Sequence, residues 1–302
     1  MKKWMVALIL CWSVGPLRTY SQSPPAPAGG SPVETLQALS AEVRAIIQPE
    51  NLRNVFGDAY RLKEMGLSYQ PQLTAPSRIE PGADPDRLRQ FAGMKQFDTL
   101  YALAFRKHQE ALDSSRALEA AFNALELRSY ADWSGSAFGS LRIAAINPEG
   151  TDIPRLLDEL ADGFFKLIPT AMSTRETAHY LMDFLYGFSI EEAYVVNYFN
   201  LNDPAGNFRE KMRNLRKTPS GPPPEPWART VCRVFQSFDR ASAKIGWKCG
   251  SPEKLALYNR LAALMEAEQS GKLSGPKLLA QWNQIHQEIT AVREGMLSAK
   301  AK

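Results

Sequence analysis

Residues 152–201 read DIPRLLDELADGFFKLIPTAMSTRETAHYLMDFLYGFSIEEAYVVNYFNL and hold the densest apolar content of the chain. Between residues 178 and 199 the apolar side chains cover almost the whole circumference of a helix, which is typical of a helix buried on all sides. Each buried Leu, Phe or Val contributes roughly 1.5–3 kcal/mol of transfer free energy. We therefore expect this stretch to form the core, with an exposed aromatic docking surface as the alternative.

Three helices are predicted within this stretch. The first covers residues 153–168 and ends at Pro169, because proline interrupts helical hydrogen bonding. A capping box at 173–176 begins the second helix, which stops near Gly187. A further capping box at 189–192 begins the third helix.

Helical patterns continue on the N-terminal side of this core. A capping box at residues 31–34 opens one helix, and a second helix follows Pro49 and ends at Gly66, a typical helix-terminating glycine. Residues 67–85 contain four prolines and are predicted to be a loop.

The stretch from residue 85 to 128 has a helical stripe that Asp113-Ser114-Ser115 interrupts. It is either one bent helix or a hairpin of two. Residues 129–151 are the least helical part, and their run from Leu141 to Ile146 favours a strand or a packed loop.

A proline-rich segment, TPSGPPPEP at residues 218–226, is the best domain boundary because such sequences form semi-rigid extended linkers. The fold class is therefore all-α, a multi-helix bundle of about nine to eleven helices with a C-terminal helical hairpin after the linker. The predicted parts are a signal peptide (1–21), a flexible leader (22–30), a main helical domain (31–217), the linker (218–226) and a C-terminal hairpin module (227–302).

The last helix, from about Pro276, carries six large apolar residues at alternating spacings of four and three, which is a heptad pattern. We call these residues the seam. The preceding helix, residues 252–270, is the expected partner in an antiparallel hairpin, and pairing between chains in an oligomer is the alternative. The seam consists of Leu278, Trp282, Ile285, Ile289, Val292 and Met296.

The N-terminus has the order of a secretory signal peptide. Lys2 and Lys3 precede an apolar run from Met5 to Val14, and small residues follow. Cleavage near Ser21 is expected, with a later site after Ala28 as an alternative, which predicts a periplasmic or secreted protein.

The charge of the mature chain argues against nucleic acid as a partner. The whole chain has 36 basic and 32 acidic residues, but residues 1–21 hold three basic groups and no acidic group, so the mature chain keeps 33 against 32. A nucleic-acid-binding protein usually shows a strong basic excess. No later stretch has 18 uncharged apolar residues, so no transmembrane segment is expected in the mature chain.

Two cysteines, Cys232 and Cys249, remain once Cys11 is removed with the signal peptide. In an exported chain they are expected to form a disulfide, and a loop of 16 intervening residues contributes roughly 3 kcal/mol in the chain-entropy model. Neither has a CxxC partner or a nearby histidine, which argues against zinc.

The strongest candidate for a metal or catalytic site is the set Glu176, His179 and Asp183, whose spacing places them on one helical face. Glu176 and His179 form a Glu-x-x-His sequence, which is half of the ligand pattern of a di-iron site. A di-iron site needs a second Glu-x-x-His, and the sequence has none. The other interpretation is a solvent-facing polar edge. No catalytic residues and no cofactor are assigned.

The stretch from residue 208 to residue 217 contains five basic residues and only one acidic residue, Glu210. They favour a solvated helix face, and a site for an anionic surface is the alternative. The five are Arg209, Lys211, Arg213, Arg216 and Lys217.

Two functional hypotheses follow. The first is an exported helical binding or scaffold protein that docks to other envelope proteins through residues 252–299, as an accessory subunit of a bacterial envelope assembly. Its layout is similar to that of exported, mostly helical subunits of envelope machines, such as minor pilus components of type IV secretion, although no motif carries this likeness. The second hypothesis is a periplasmic metal-dependent enzyme that uses Glu176, His179 and Asp183.

Overall fold

The computed structural model describes residues 31–79, 83–125, 139–203, 207–216, 227–244 and 252–298. Every regular element in these ranges is helical, which confirms the all-α, multi-helix bundle. The ranges hold twelve α-helices, one more than the upper expectation. They are α1 (Pro32–Ile46), α2 (Pro49–Phe56), α3 (Asp58–Glu64), α4 (Pro85–Ala104), α5 (His108–Ala124), α6 (Gly139–Ile146), α7 (Ile153–Ala171), α8 (Arg175–Leu201), α9 (Phe208–Arg216), α10 (Trp227–Lys244), α11 (Pro252–Gln269) and α12 (Gly275–Leu297), with a 3-10 turn at Pro71–Leu73.

Helix α8 is the centre of the fold, as its apolar circumference predicts. It is 27 residues long, and all side chains from Tyr180 to Ala193 are buried. Helix α4 packs along it, and α7 and α12 also contact it. The Phe188 ring meets the rings of Phe56 and Phe97 edge-on, with centroids 5.4 and 5.6 Å apart. Such edge-to-face pairs add to the stabilisation from burial.

The predicted break between residues 187 and 189 is wrong, because α8 passes through Gly187 and Ser189 without interruption. Gly187 lies against the backbone of α4, where a Cβ would be 1.9 Å from the carbonyl oxygen of Gln90. The Ser189 hydroxyl accepts a hydrogen bond from Trp227 Nε1 at 3.1 Å. Both residues therefore serve tertiary contacts within a helix.

The C-terminal end of α7 and the N-terminal end of α8 also differ from expectation. Helix α7 continues through Pro169 to Ala171, and the Met172 amide still donates to the Ile168 carbonyl at 2.9 Å. A proline removes one donor but leaves the following amides free to bond. The capping box that begins α8 is formed by Thr174 and Thr177, one residue beyond the predicted pair.

Residues 85–124 form a hairpin of α4 and α5, and the turn lies at residues 105–107. Arg106 has a φ of 54°, and the Lys107 amide donates to the Ala102 carbonyl at 2.8 Å, which is the Schellman pattern of a helix end. The expected interruption at residues 113–115 is wrong, because these residues lie inside α5 and two of them are buried.

Two other short segments differ from the predicted elements. Residues 139–146, predicted as a strand or loop, form helix α6, with Leu141 buried against the rest of the core. The single helix expected up to Gly66 is two helices, α2 and α3, which meet at Gly57. The capping box at Ser31 and Glu34 is confirmed.

The C-terminal helices pack on the rest of the chain. Helix α10 lies against α1, α11 against α10, and α12 against both α11 and α8. Five of the six seam residues are buried and Val292 is partly buried. The seam is therefore covered within the chain. None of the helices in the described ranges has the length and apolar character needed to cross a membrane.

Candidate functional site

A cavity of about 290 Å³ lies among helices α8 to α12. Its wall is mostly apolar, with side chains from all five helices. Pockets of this kind, apolar with a few placed polar groups, are the usual form of a small-molecule site. The apolar lining includes Val196, Met212, Trp227, Leu261, Met265 and Trp282.

Short helix α9 closes one side of the cavity because it is amphipathic. Phe208 and Met212, one turn apart, are buried, whereas Lys211 between them is exposed. The Asp203 carboxylate accepts hydrogen bonds from the amides of Asn207 and Phe208, at 2.8 and 2.6 Å. These bonds satisfy donors at the start of α9 and fix where the helix begins.

Glu268 of α11 connects two other helices at the cavity wall. Its Oε1 lies 2.7 Å from Arg209 Nε, and its Oε2 accepts a hydrogen bond from Trp282 Nε1 at 3.2 Å. Because both oxygens are engaged, the carboxylate holds α9 and α12 in fixed positions. Trp282, predicted as a seam residue, therefore has two roles: its ring is buried in the core and its Nε1 donates a hydrogen bond to Glu268.

One donor at the cavity wall has no partner among the described residues. Arg209 Nη1 is buried and makes no hydrogen bond there. A buried donor left unsatisfied costs about 1–3 kcal/mol, and more when the group is charged. This nitrogen is shielded from solvent, so it is a buried unsatisfied donor within the wall and not a group that the open cavity presents.

Three charged side chains, Glu192, Arg209 and Glu268, are among the described residues that line the cavity. Among the described residues that line the cavity there is no histidine, cysteine or lysine. Of the two acidic groups, Glu192 and Glu268, the second is paired with Arg209.

The predicted metal set is not brought together by the fold. Asp183 is buried and accepts from Arg89 Nε at 3.0 Å, Lys254 Nζ at 3.2 Å and Gln90 Nε2 at 3.3 Å. Its charge is therefore compensated by two cations. In the part of the chain that the structure describes, no three His, Cys, Asp or Glu side chains lie close enough to hold a metal ion.

The other two members of that set have different surroundings. Glu176 is exposed and borders a second, more polar cavity of about 240 Å³ near Arg89 and Tyr180. His179 is half-buried, and burial lowers its pKa below the usual 6.5. The interpretation as a solvent-facing edge holds for Glu176 but is wrong for Asp183.

The basic stretch is only partly described. Arg209 belongs to the cavity wall, and Lys211 is exposed. The side chains of Arg213 and Arg216 and the whole of Lys217 lie outside the described residues. The anionic-surface hypothesis therefore stays a prediction.

The predicted disulfide also stays a prediction. Cys232 is buried in α10, its thiol donates to Asn259 Oδ1 at 3.4 Å, and burial raises its pKa to about 11. Cys249 lies outside the described residues.

A second group of buried charges, which the sequence analysis missed, joins α4, α8 and α12. Arg293 donates to Glu191 through Nε at 2.6 Å and Nη2 at 2.8 Å, and Lys95 Nζ lies 2.7 Å from Asp98 Oδ2. We call these four residues the buried charge network. Burial raises the pKa of Glu191 above its usual value, whereas the bond to Glu191 raises the pKa of Arg293.

The buried charge network holds a loop. Arg293 Nη2 donates to the Leu73 carbonyl at 3.2 Å, and Lys95 Nζ donates to the Ala75 carbonyl at 2.5 Å. The Ala75 amide in turn donates to Asp98 at 3.0 Å. Strongly shifted pKa values often mark functional sites, but ion pairs that support structure shift them as well. Here the partners are backbone groups of the loop at residues 71–75, which indicates a structural role.

No protein-family model, curated protein sequence or solved structure matches this chain significantly. The cavity is therefore interpreted from its own geometry and chemistry alone.

Proposed function

We propose that the chain is an exported helical binding protein without catalytic activity, and that its ligand occupies the cavity among α8 to α12. The observation that carries the proposal is a mostly apolar cavity of about 290 Å³ that is lined by side chains from five helices. Binding would remove the apolar surface of this lining from water.

Export is supported by the charged, apolar and small-residue order of residues 1–21. Cell fractionation and intact-mass measurement test it. We expect mature protein in the periplasm or medium with a mass that corresponds to cleavage near Ser21. Recovery of the uncleaved chain from the cytosol would contradict export.

The bridge between Cys232 and Cys249 belongs to the same proposal, since disulfides persist in oxidising compartments. Peptide mapping without reductant, on protein from its native compartment, should yield one peptide pair joined through these cysteines. Two free thiols in that material would disprove the bridge.

The role of accessory subunit in a bacterial envelope assembly needs a docking surface other than the seam. Of the six seam residues that motivated docking through 252–299, five are buried in the fold and Val292 is partly buried. A metal-dependent enzyme built on Glu176, His179 and Asp183 likewise finds no support, because Asp183 is paired with Arg89 and Lys254.

Ligand binding can be tested with N-phenylnaphthylamine, an uncharged fluorescent molecule that brightens in apolar sites. We expect saturable binding to the purified mature protein. Ala193→Phe, which places a large ring in the cavity, should abolish it, whereas Ala263→Phe on the exposed face of α11 should leave it unchanged.

Circular dichroism must show that both variants keep their helical content. Met265→Trp fills the same cavity from another helix and replaces Ala193→Phe if that variant does not fold. Absence of saturable binding to the unmodified protein, or binding that survives a folded cavity-filling variant, would disprove the proposed function.

A further inference from the structure

Among the residues that the structure describes, four aromatic side chains line the cavity, each from a different helix. Phe208 comes from α9, Trp227 from α10, Tyr258 from α11 and Trp282 from α12. Aromatic rings attract one another beyond the effect of burial, because the negative face of one ring meets the positive edge of another. An aromatic occupant would gain this attraction from several sides of the cavity, whereas a saturated occupant would gain only burial.

Two of these four rings are fixed in orientation by hydrogen bonds within the protein. Trp227 Nε1 donates to Ser189 Oγ at 3.1 Å. Trp282 Nε1 donates to Glu268 Oε2 at 3.2 Å, and Glu268 Oε1 lies 2.7 Å from Arg209 Nε. Since an indole has a single donor and both donors already have protein acceptors, the two tryptophans offer the cavity ring carbon.

The ring of Tyr258 is held in place by other rings. Its centroid lies 5.6 Å from that of Phe235 and 6.0 Å from that of Tyr186. The aromatic side of the wall is therefore set before any ligand binds. A fixed wall favours a rigid ligand, because a flexible one loses conformational freedom when it is held.

Methionine side chains add to the preference for a ring. Met212 of α9 and Met265 of α11 line the same cavity. The thioether sulfur is polarizable and makes favourable contacts with aromatic rings, which a saturated body of the same size cannot make. The volume of about 290 Å³ is at the lower end of known ligand pockets, about 300–1,000 Å³, so the ligand is small.

We propose that the ligand is a small planar aromatic molecule of about two rings, which the aromatic wall of the cavity prefers over a saturated molecule of the same size. This inference rests on the proposed function and adds the chemical class of the ligand. It also assigns Trp227 as a residue that sets specificity.

The experiment compares two uncharged alcohols with the same carbon skeleton. 2-Naphthylmethanol has a flat aromatic ring system, whereas decahydro-2-naphthylmethanol is saturated and puckered and has the larger apolar surface. Burial alone predicts tighter binding of the saturated alcohol, because the hydrophobic contribution grows with apolar area. Ring contacts predict the reverse. We expect equilibrium dialysis with the mature protein to show that the aromatic alcohol binds about tenfold more tightly, since an aromatic pair adds up to about that factor.

Variants of Trp227 separate ring contacts from general packing. Trp227→Leu keeps an apolar side chain but removes the ring, so the ratio of the two affinities should move from about ten toward about one. Trp227→Phe keeps a ring and should keep most of the ratio. Phe165→Leu in α7, at a partly buried ring outside the cavity, is the matched control and should change neither affinity.

Circular dichroism must show that each variant keeps its helical content. If Trp227→Leu does not fold, Met265→Leu takes its place, because leucine fills a similar volume in a core without the sulfur. The ratio of the two affinities should then fall about two- to threefold.

The outcomes distinguish the two proposals. Failure of N-phenylnaphthylamine to bind disproves the proposed function itself. Binding of this probe, combined with equal or tighter binding of the saturated alcohol, overturns the aromatic class. An unchanged ratio in folded Trp227→Leu overturns the assignment of Trp227, whereas a ratio that falls in Trp227→Leu and persists in Trp227→Phe supports it.

Discussion

Gly93 and Gly187 bring the backbones of α4 and α8 into direct contact. A Cβ on Gly93 would lie 2.0 Å from the carbonyl oxygen of Phe184, and a Cβ on Gly187 would lie 1.9 Å from that of Gln90. Real Cβ atoms do not approach carbonyl oxygens this closely, so any larger residue forces the two helices apart. The two central helices of the core depend on glycine at both positions.

Gly187→Ala should therefore destabilise the protein although alanine favours helices. We expect the free energy of unfolding to fall by about 3 kcal/mol, because the obstructing atoms are backbone atoms that cannot rotate away. Gly295→Ala in α12, where a Cβ meets nothing within 4 Å, should raise stability by about 0.5–1 kcal/mol. Urea unfolding measures both, and similar values for the two variants would contradict the close crossing.

The ion pair between Glu191 and Arg293 should behave as a buried pair. Arg293→Met leaves the Glu191 carboxylate buried without its partner, and we expect a loss of about 3–5 kcal/mol. Glu191→Leu combined with Arg293→Met should recover most of this loss, since no charge is then buried alone. Equal destabilisation in the single and double variants would show that the pair itself is not the cause.

An exposed pair provides the control for that experiment. Arg260 lies near Glu288 with 53% of its side chain exposed. Arg260→Met should cost less than about 1 kcal/mol, because solvent screens the interaction.

Arg106 should gain stability when replaced by glycine. Its φ of 54° is in the left-handed region, which costs roughly 1–2 kcal/mol for an L-residue. Arg106→Gly removes most of this cost, so we expect the midpoint of thermal unfolding to rise. Arg106→Ala keeps the Cβ and should produce little change, since the lost contact with Glu149 is between exposed groups. If the midpoint of thermal unfolding rises in both variants, the gain comes from loss of the arginine side chain and not from relief of the left-handed backbone conformation.

The contribution of His286 to the stability of the protein should fall as the pH falls below about 6.5. Burial lowers the pKa of His286, whose Nδ1 is buried without a hydrogen-bond partner among the described residues. The unfolded chain then takes up a proton at a higher pH than the folded chain, and acid favours unfolding. Burial also lowers the pKa of His179, which adds to the effect in the same direction.

His286→Phe removes this titration and keeps a ring to stack on Tyr194, whose centroid lies 5.3 Å from that of His286. Urea unfolding at several pH values should show a weaker pH dependence for this variant. An unchanged dependence would exclude His286 as a contributor.

The core could be predicted from sequence because burial follows local spacing. The apolar positions of α8 and of the seam are placed where their periodicity indicated. Helix ends were predicted less well because tertiary contacts decide them. Gly187 resembles a helix end but allows a close crossing, and Arg106 occupies a helix-ending position that glycine usually marks.

The cavity could not be predicted from sequence, because its polar residues come from different helices. Glu192, Arg209 and Glu268 are far apart in the chain and form no motif at fixed spacing. Arg209 was recognised only as part of a basic stretch, and Trp282 only as an apolar seam residue. Their common contact with Glu268 depends on how α9, α11 and α12 pack.

The buried charge network also sets an order of events during synthesis. Arg293 is 102 positions later in the chain than Glu191, so it is translated well after the carboxylate that it compensates. A nascent chain that ends before α12 has the central carboxylate but lacks the guanidinium that compensates it and holds the Leu73 carbonyl. The charge at the centre of the core is therefore compensated only after α12 has been translated.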